Sequence, residues 1–238
     1  MSSTFKFKSF QIKQDKTAMK VGTDGVLLGA WASLKHQPNA ILDVGAGTGL
    51  IALQMAQRSN AEIIDAIEFN DDAFEQCVDN FENSSWGDRL FCYHASFQEF
   101  VEEMDETYQS IISNPPFFNQ EHQTRIQSPR NKARFTTTLP FKDLLFGVQQ
   151  LLSENGLFSC IIPEEYHKEF IALAKEHDLY LNRICYVKGN SQSPIKRCLM
   201  EFSFHQLKIE EENLTIEITR HEYTDAYKKL TQDFYLKM

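Results

Sequence analysis

The sequence predicts an open α/β fold, a mostly parallel sheet with helices on both faces. Three observations carry this. Short apolar runs at 40–44, 62–69, 90–94 and 108–113 alternate with helix-patterned segments at 50–58 and 71–83, the rhythm of βαβ units. The first run ends in the glycine turn Asp43-Val-Gly-Ala-Gly-Thr-Gly49, with a periodic apolar segment directly behind it. The fourth ends in Asn114-Pro-Pro-Phe-Phe118, where two prolines forbid further strand or helix and expel the chain from the sheet. Both motifs then lie at the carboxyl edge, where open α/β sheets hold their ligands.

The 238 residues suit a single domain, 1–238, with 1–36 as an N-terminal extension and 206–238 as an appended strand and helix. Hydrophobic content of 42% and charged content of 24% are those of an ordinary globular chain. No run nears the roughly 18 apolar residues of a membrane span. The start, Met1-Ser-Ser-Thr-Phe-Lys-Phe-Lys8, lacks the apolar stretch of a secretion signal. A cytoplasmic monomer is the expectation. Five cysteines, at 77, 92, 160, 185 and 198, form no C-x-x-C pair; reduced, mostly buried thiols are expected, and no metal site.

The net charge of −9 is unevenly spread. Residues 62–106 carry fourteen acids against one Arg, whereas 1–36 carry six Lys against two acids. A second basic stretch holds Arg125, Arg130, Lys132 and Arg134. An acidic chain with local basic patches can still bind phosphate.

In chain order, alternation of Phe5, Phe7, Phe10 and Ile12 with lysines predicts a short hairpin with a basic face. Thr23 or Asp24 is placed to cap a helix over Gly25–Leu34, with Gly22 at a special turn. Helices follow at Leu50–Arg58 and at Asp71–Asn83, the latter with Phe74, Val78 and Phe81 on one face. The stretch Glu99–Glu106 reads as an acidic linker or helix, and Asn119–Thr138 as a long loop, functional or mobile. Beyond it lie a helix at Leu144–Leu152, a turn at Asn155-Gly156, a strand at Leu157–Ile162 and a helix from Pro163 to Glu176. Strands at Leu179–Val187 and Cys198–Phe204, a short strand at Thr215–Ile218 and an amphipathic helix complete the chain.

The motifs carry chemistry. A dinucleotide fingerprint needs glycine at 45, 47 and 50, but Leu stands at 50 and the third glycine at 49. Asp43 before the turn suits a cationic ligand better than a pyrophosphate. Gly45 and Gly47 let the backbone pass close under that ligand. Glu68 ends the next strand, where an acid accepts both hydroxyls of a ribose. Ser96 and Phe97 follow the third strand, where an adenine ring can find a hydrogen bond and an apolar contact. The Asn114 side-chain carbonyl and the Pro115 backbone carbonyl can accept the two hydrogens of a planar amine. Phe117 can stack on its base.

Together these residues resemble class I S-adenosylmethionine-dependent N-methyltransferases. The blocks Lys20-Val-Gly-Thr-Asp-Gly-Val-Leu-Leu-Gly-Ala-Trp31, Asn114-Pro-Pro-Phe-Phe118, Arg134 with its threonines, and Tyr223-Thr-Asp with Leu230-Thr-Gln-Asp-Phe-Tyr-Leu-Lys237 resemble bacterial tRNA(Val) adenine-N6 methyltransferases, over nearly the whole chain. The resemblance implies a Rossmann-like sheet of seven strands, the last antiparallel, and methylation of the adenosine 3′ of the anticodon, position 37. It implies S-adenosylmethionine over Asp43, Gly45 and Gly47, its ribose on Glu68, and its adenine by Ser96 and Phe97, although relatives often carry Asp where Ser96 stands. It implies a segment with Lys20, Gly22 and Thr23 that closes over the cofactor. RNA phosphates would meet Lys6, Lys8, Arg125, Arg130, Lys132 and Arg134. Two neighbouring activities compete. Protein glutamine methyltransferases usually carry Tyr after the prolines and a separate helical domain, for which 39 residues before the first core strand are too few. Ribosomal guanine-N2 methyltransferases commonly continue with His and Gly, where this chain has Phe118-Asn119.

Overall fold

In the computed structural model, which describes residues 4–17, 19–115 and 139–237, nine strands form one sheet and two more a separate hairpin. The hairpin pairs β1 (Thr4–Lys6) with β2 (Gln11–Lys13), Phe5 opposite Ile12. Then come α1 (Thr23–Trp31), β3 (Ala40–Val44), α2 (Leu50–Arg58), β4 (Ile63–Glu68), α3 (Asp71–Glu82), β5 (Leu90–His94), α4 (Phe97–Glu103) and β6 (Tyr108–Ser113). After the segment outside the described residues follow α5 (Phe141–Leu151), β7 (Leu152–Pro163), a 3-10 turn (Glu164–Tyr166), α6 (His167–Glu176), β8 (Tyr180–Asn190), β9 (Ile195–Ser203), β10 (Glu210–Thr219), β11 (Glu222–Tyr223) and α7 (Asp225–Thr231).

The sheet order is β11-β10-β8-β9-β7-β6-β3-β4-β5. The seven expected strands are β3 to β9, and β9 alone runs antiparallel to both its neighbours, β7 and β8. The sheet is wider than the seven strands expected. The tail strand β10 pairs parallel with β8 from Glu210 opposite Arg183 onward, and β11 folds back on it. Alternation along the strands divides the core in two. Ile41, Ile112 and Ile161 face α1, α2 and α3. Leu42, Ile111 and Ile162 face α4, α5 and α6. This is the two-residue period of strands buried on both faces.

Four local readings change. Asn155 and Gly156 lie within β7, which runs from Leu152 to Pro163 with a register shift against β6, and not in a turn. Gly22, not Thr23 or Asp24, is the N-cap of α1; it has ordinary extended dihedrals (φ −125°) and no side chain caps the helix. The Asp24 carboxylate instead accepts from Arg197 Nε at 2.7 Å. The helix ends early, at Trp31, where Arg58 donates to the Gly29 carbonyl (2.7 Å) and Arg183 to that of Trp31 (2.8 Å). In α3 the buried face is Ala73, Gln76, Cys77, Asn80 and Phe81, rotated from the Phe74–Val78–Phe81 stripe; Phe74 stacks at the helix flank on His94, centroids 4.9 Å apart. The helix in the 99–106 region starts earlier, at Phe97, behind a capping box of Ser96 and Glu99, and ends at Glu103. Four of the five thiols are buried, with Cys92 half-buried, and all are free.

Candidate active site

Four strand ends build the site. Strand β3 lies between β4 and β6, with Val44 opposite Ile67 and Ser113. The Ser113 hydroxyl donates to the Val44 carbonyl at 2.9 Å. Asn114 therefore leaves its strand beside the point where Gly45 leaves the next one, neighbouring strands being about 4.8 Å apart.

The glycine loop is held from below. Gly45 and Ala46 both donate to the Ile67 carbonyl at 3.0 Å. Gly45, Gly47 and Gly49 have φ of 77°, 56° and 77°, a region L side chains rarely adopt. At Gly45 and Gly47 an added Cβ would meet nothing within 4 Å. The loop presents bare backbone to open space, a cradle for a ligand. Gly49 has the opposite surroundings: a Cβ there would lie 2.5 Å from the Phe81 ring and 2.9 Å from Cys77 Sγ.

Asp43 is 1% exposed. Its Oδ2 accepts from Ala52 N–H at 3.1 Å inside the first turns of α2, while Oδ1 has no hydrogen-bond partner. Burial pushes its carboxyl up to about 7, against the Ala52 bond; the Glu68 charge adds to the rise. Glu68 differs: its Oε2 accepts from Gly47 N–H and its Oε1 from Asn70 N–H, both at 2.8 Å. It pins the loop and leaves lone pairs for further donors.

At the end of β5 the Ser96 hydroxyl donates to Glu99 Oε2 at 2.7 Å and accepts from Glu99 N–H. Its chemistry serves the helix cap. The Phe97 ring is core: a Cβ at Gly147 would come within 2.3 Å of it. The ring is therefore not available to a ligand. Sequence reasoning missed two neighbours. Phe69, 49% exposed, offers an apolar surface beside Glu68. His94 Nε2 lies 3.1 Å from the Phe69 carbonyl and 2.9 Å from Asp71 Oδ1. Both partners are acceptors, so this nitrogen carries the hydrogen. A histidine ending a strand beside a helix with Asp71 and Asp72 in its first turn was the available signal.

Asn114 is half-buried and Pro115 buried. Phe117, Arg125, Arg130, Lys132 and Arg134 lie outside the described residues. Lys20, Gly22 and Thr23 are exposed at the start of α1, and Gly25 sets that helix against Leu50, the first residue of α2. The N-terminal basic face is smaller than its lysines suggest. Lys13 pairs with Asp79 at 3.4 Å and Lys16 with Glu75 at 2.6 Å. Lys6 is exposed, and exposed Lys8 donates from Nζ to the Gln232 carbonyl at 2.6 Å. Among the described residues no cluster of three or more His, Cys, Asp or Glu is arranged to hold a metal ion, and no helix is long and apolar enough to cross a membrane.

The methyltransferase small domain family matches residues 23–130. A solved structure described as a predicted O-methyltransferase from Agrobacterium tumefaciens shares the fold, with a TM-score of 0.68 at 18% identity over 89% of this chain and 96% of that one. So does Pyrococcus horikoshii TYW2 in complex with MeSAdo, with a TM-score of 0.56 at 13% identity over 84% and 69%. Among curated relatives, the tRNA1(Val) (adenine(37)-N6)-methyltransferase of Christiangramia forsetii is 56% identical over 98% of both chains. Those of Flavobacterium johnsoniae and Bacteroides fragilis are 54% and 42% identical, each over 98% of this chain. At such identity over almost the full length, this chain belongs to the tRNA1(Val) (adenine(37)-N6)-methyltransferase family.

Proposed function

We propose that this protein transfers a methyl group from S-adenosylmethionine to N6 of adenosine 37 in tRNA(Val), and that the reaction takes place at the ends of β3 and β6. The observation that carries the reading is the adjacency of Asn114 and the glycine loop, imposed by the pairing of Ser113 with Val44. The cofactor fits the residues present: a bare backbone cradle at Gly45 and Gly47, and a buried carboxylate oxygen of Asp43 without a partner. Such an oxygen favours a cationic ligand, which supplies the charge complement that burial denies it. Glu68 would take the ribose hydroxyls, Phe69 and the Phe97 backbone the adenine, and the segment Lys20–Thr23 the outer side. S-adenosylmethionine supplies an electrophilic methyl group bonded to a sulfonium.

The chain's own part is to place the amine. The Asn114 side-chain carbonyl and the Pro115 backbone carbonyl accept the two N6 hydrogens, turning the nitrogen lone pair out of conjugation with the ring. No strong base is needed, because the nitrogen loses its proton after it attacks. The rate then comes from positioning and from fixed dipoles. The target base must leave its stack, and Phe117 replaces part of the lost stacking. The RNA approaches through local cations, Lys6, Lys8 and Arg125 to Arg134, away from the acidic stretch 62–106.

Asn114→Ala separates this reading from a bland one. Its acceptor acts mainly as the amine approaches the methyl group, so single-turnover methylation should fall at least about 100-fold while S-adenosylmethionine affinity stays within about threefold. A variant that loses cofactor binding and keeps its maximal rate contradicts the assignment.

A further inference from the structure

We infer that Asn80 is a positioning residue that ties the N-terminal segment to the glycine loop, so that cofactor affinity depends on an amide set behind the loop. The inference rests on the cofactor reading above.

The buried face of α3 carries two amides, Gln76 at 1% and Asn80 at 2% exposure. Buried amides need partners, and these find theirs in other parts of the chain. Asn80 Oδ1 accepts from Lys13 N–H at 2.9 Å, and its Nδ2 donates to the Lys13 carbonyl at 3.0 Å. It pairs with Lys13 as a neighbouring strand would. The other Nδ2 hydrogen goes to the Thr48 carbonyl, inside the glycine loop, at 2.9 Å. Gln76 Oε1 accepts from Asp15 and Lys16 N–H, both at 3.1 Å. Further along, Gln14 Oε1 accepts from Val21 N–H at 2.8 Å. Residues 13–16 are thus laid along α3 by side-chain amides, and Gln14 links this stretch to Val21, next to Gly22 at the cap of α1.

Both Asn80 donors are in use, one on the N-terminal segment and one on the loop. Displacing either partner leaves a buried N–H unpaired, which costs more than an ordinary exposed contact. Segment and loop therefore hold their positions together, and a ligand that needs both in place depends on the amide between them. The outer ion pairs Lys13–Asp79 and Lys16–Glu75 are about half exposed and contribute little to this.

The test uses the full chain and calorimetric S-adenosylmethionine binding. Asn80→Asp keeps the acceptor for Lys13 N–H and loses both donors. It should weaken S-adenosylmethionine about tenfold and leave the rate at saturating cofactor and tRNA within about twofold. Gln14→Ala, which loosens the segment without touching α3, should also weaken binding. In the Gln14→Ala background the Asn80→Asp effect should shrink, because the two act on one element. Glu75→Ala should change nothing. A folded Asn80→Asp protein with parental affinity, or equal losses in both backgrounds, overturns the inference. If Asn80→Asp does not fold, Gln14→Ala decides alone, and parental affinity overturns it. Glu68→Ala run alongside distinguishes the failures: if it too binds like the parent, the cofactor reading falls, and if it alone weakens binding, only the role of Asn80 falls.

Discussion

Two acids end neighbouring strands at the same edge of the sheet, and the fold treats them oppositely. Glu68 has an N–H on each oxygen, and its own loop geometry depends on it. Asp43 is buried with one oxygen unmatched and its carboxyl pushed up to about 7. The first is a satisfied anchor. The second is an unmet electrostatic demand held in place by the core around α2. The contrast shows how one edge can combine a rigid loop with a site that gains from a cationic ligand.

Replacing Glu68 should have the largest effect. Glu68→Ala removes both the loop pin and the acceptor for two ribose hydroxyls, worth roughly 2–4 kcal/mol. Calorimetry should show S-adenosylmethionine binding weakened about 100-fold. Unchanged affinity in a folded variant would make Glu68 a loop anchor alone.

Asp43 should show its effect through pH. Its folded carboxyl sits near 7, above the ordinary carboxylate value of 3.8. The folded state therefore holds an extra proton between these limits, and stability falls as pH rises through that window. Asp43→Asn removes the charge and should stabilise the ligand-free protein by about 1–3 kcal/mol at pH 8, a gain of several degrees in melting temperature. The gain should vanish below about pH 4. A gain independent of pH would place its cause elsewhere.

The same carboxyl makes a second, smaller prediction. A cationic ligand beside Asp43 should lower its pKa, so S-adenosylmethionine binding at pH 6.5 should release part of a proton, and affinity should rise between about pH 6 and 8. Calorimetry in buffers of different ionisation enthalpy measures this directly. Proton uptake would contradict it.

Ser96 should matter least. With its hydroxyl engaged in the α4 capping box, Ser96→Ala should cost about 1 kcal/mol of stability and alter cofactor affinity less than about threefold. A larger loss of affinity would restore Ser96 as an adenine contact.

Much of this was legible in the sequence because its signals are backbone signals. The glycine turn, the strand-ending Asn-Pro-Pro and the Leu50–Arg58 helix are fixed by local dihedral preferences, and the helix was read to the residue. What escaped depends on distant partners. Asn80 and Gln76 lie off the expected Phe74–Val78–Phe81 stripe, and only the N-terminal segment lying on them shows what they bind. Asp24 reads as a helix cap until Arg197 arrives from β9. Phe97 reads as a ligand contact until Gly147 of α5 closes on its ring. Lys13 and Lys16 count toward the basic N-terminal stretch until α3 supplies their carboxylates.

The function itself meets its most direct test on RNA. Purified protein, S-adenosylmethionine and a tRNA(Val) transcript are incubated, and the nucleosides are separated by mass spectrometry, with a transcript carrying G at position 37 run in parallel. N6-methyladenosine from the first transcript and none from the second is the predicted result. Methylation of both, or a methylated guanine in the second, would contradict it and move the activity to another amine.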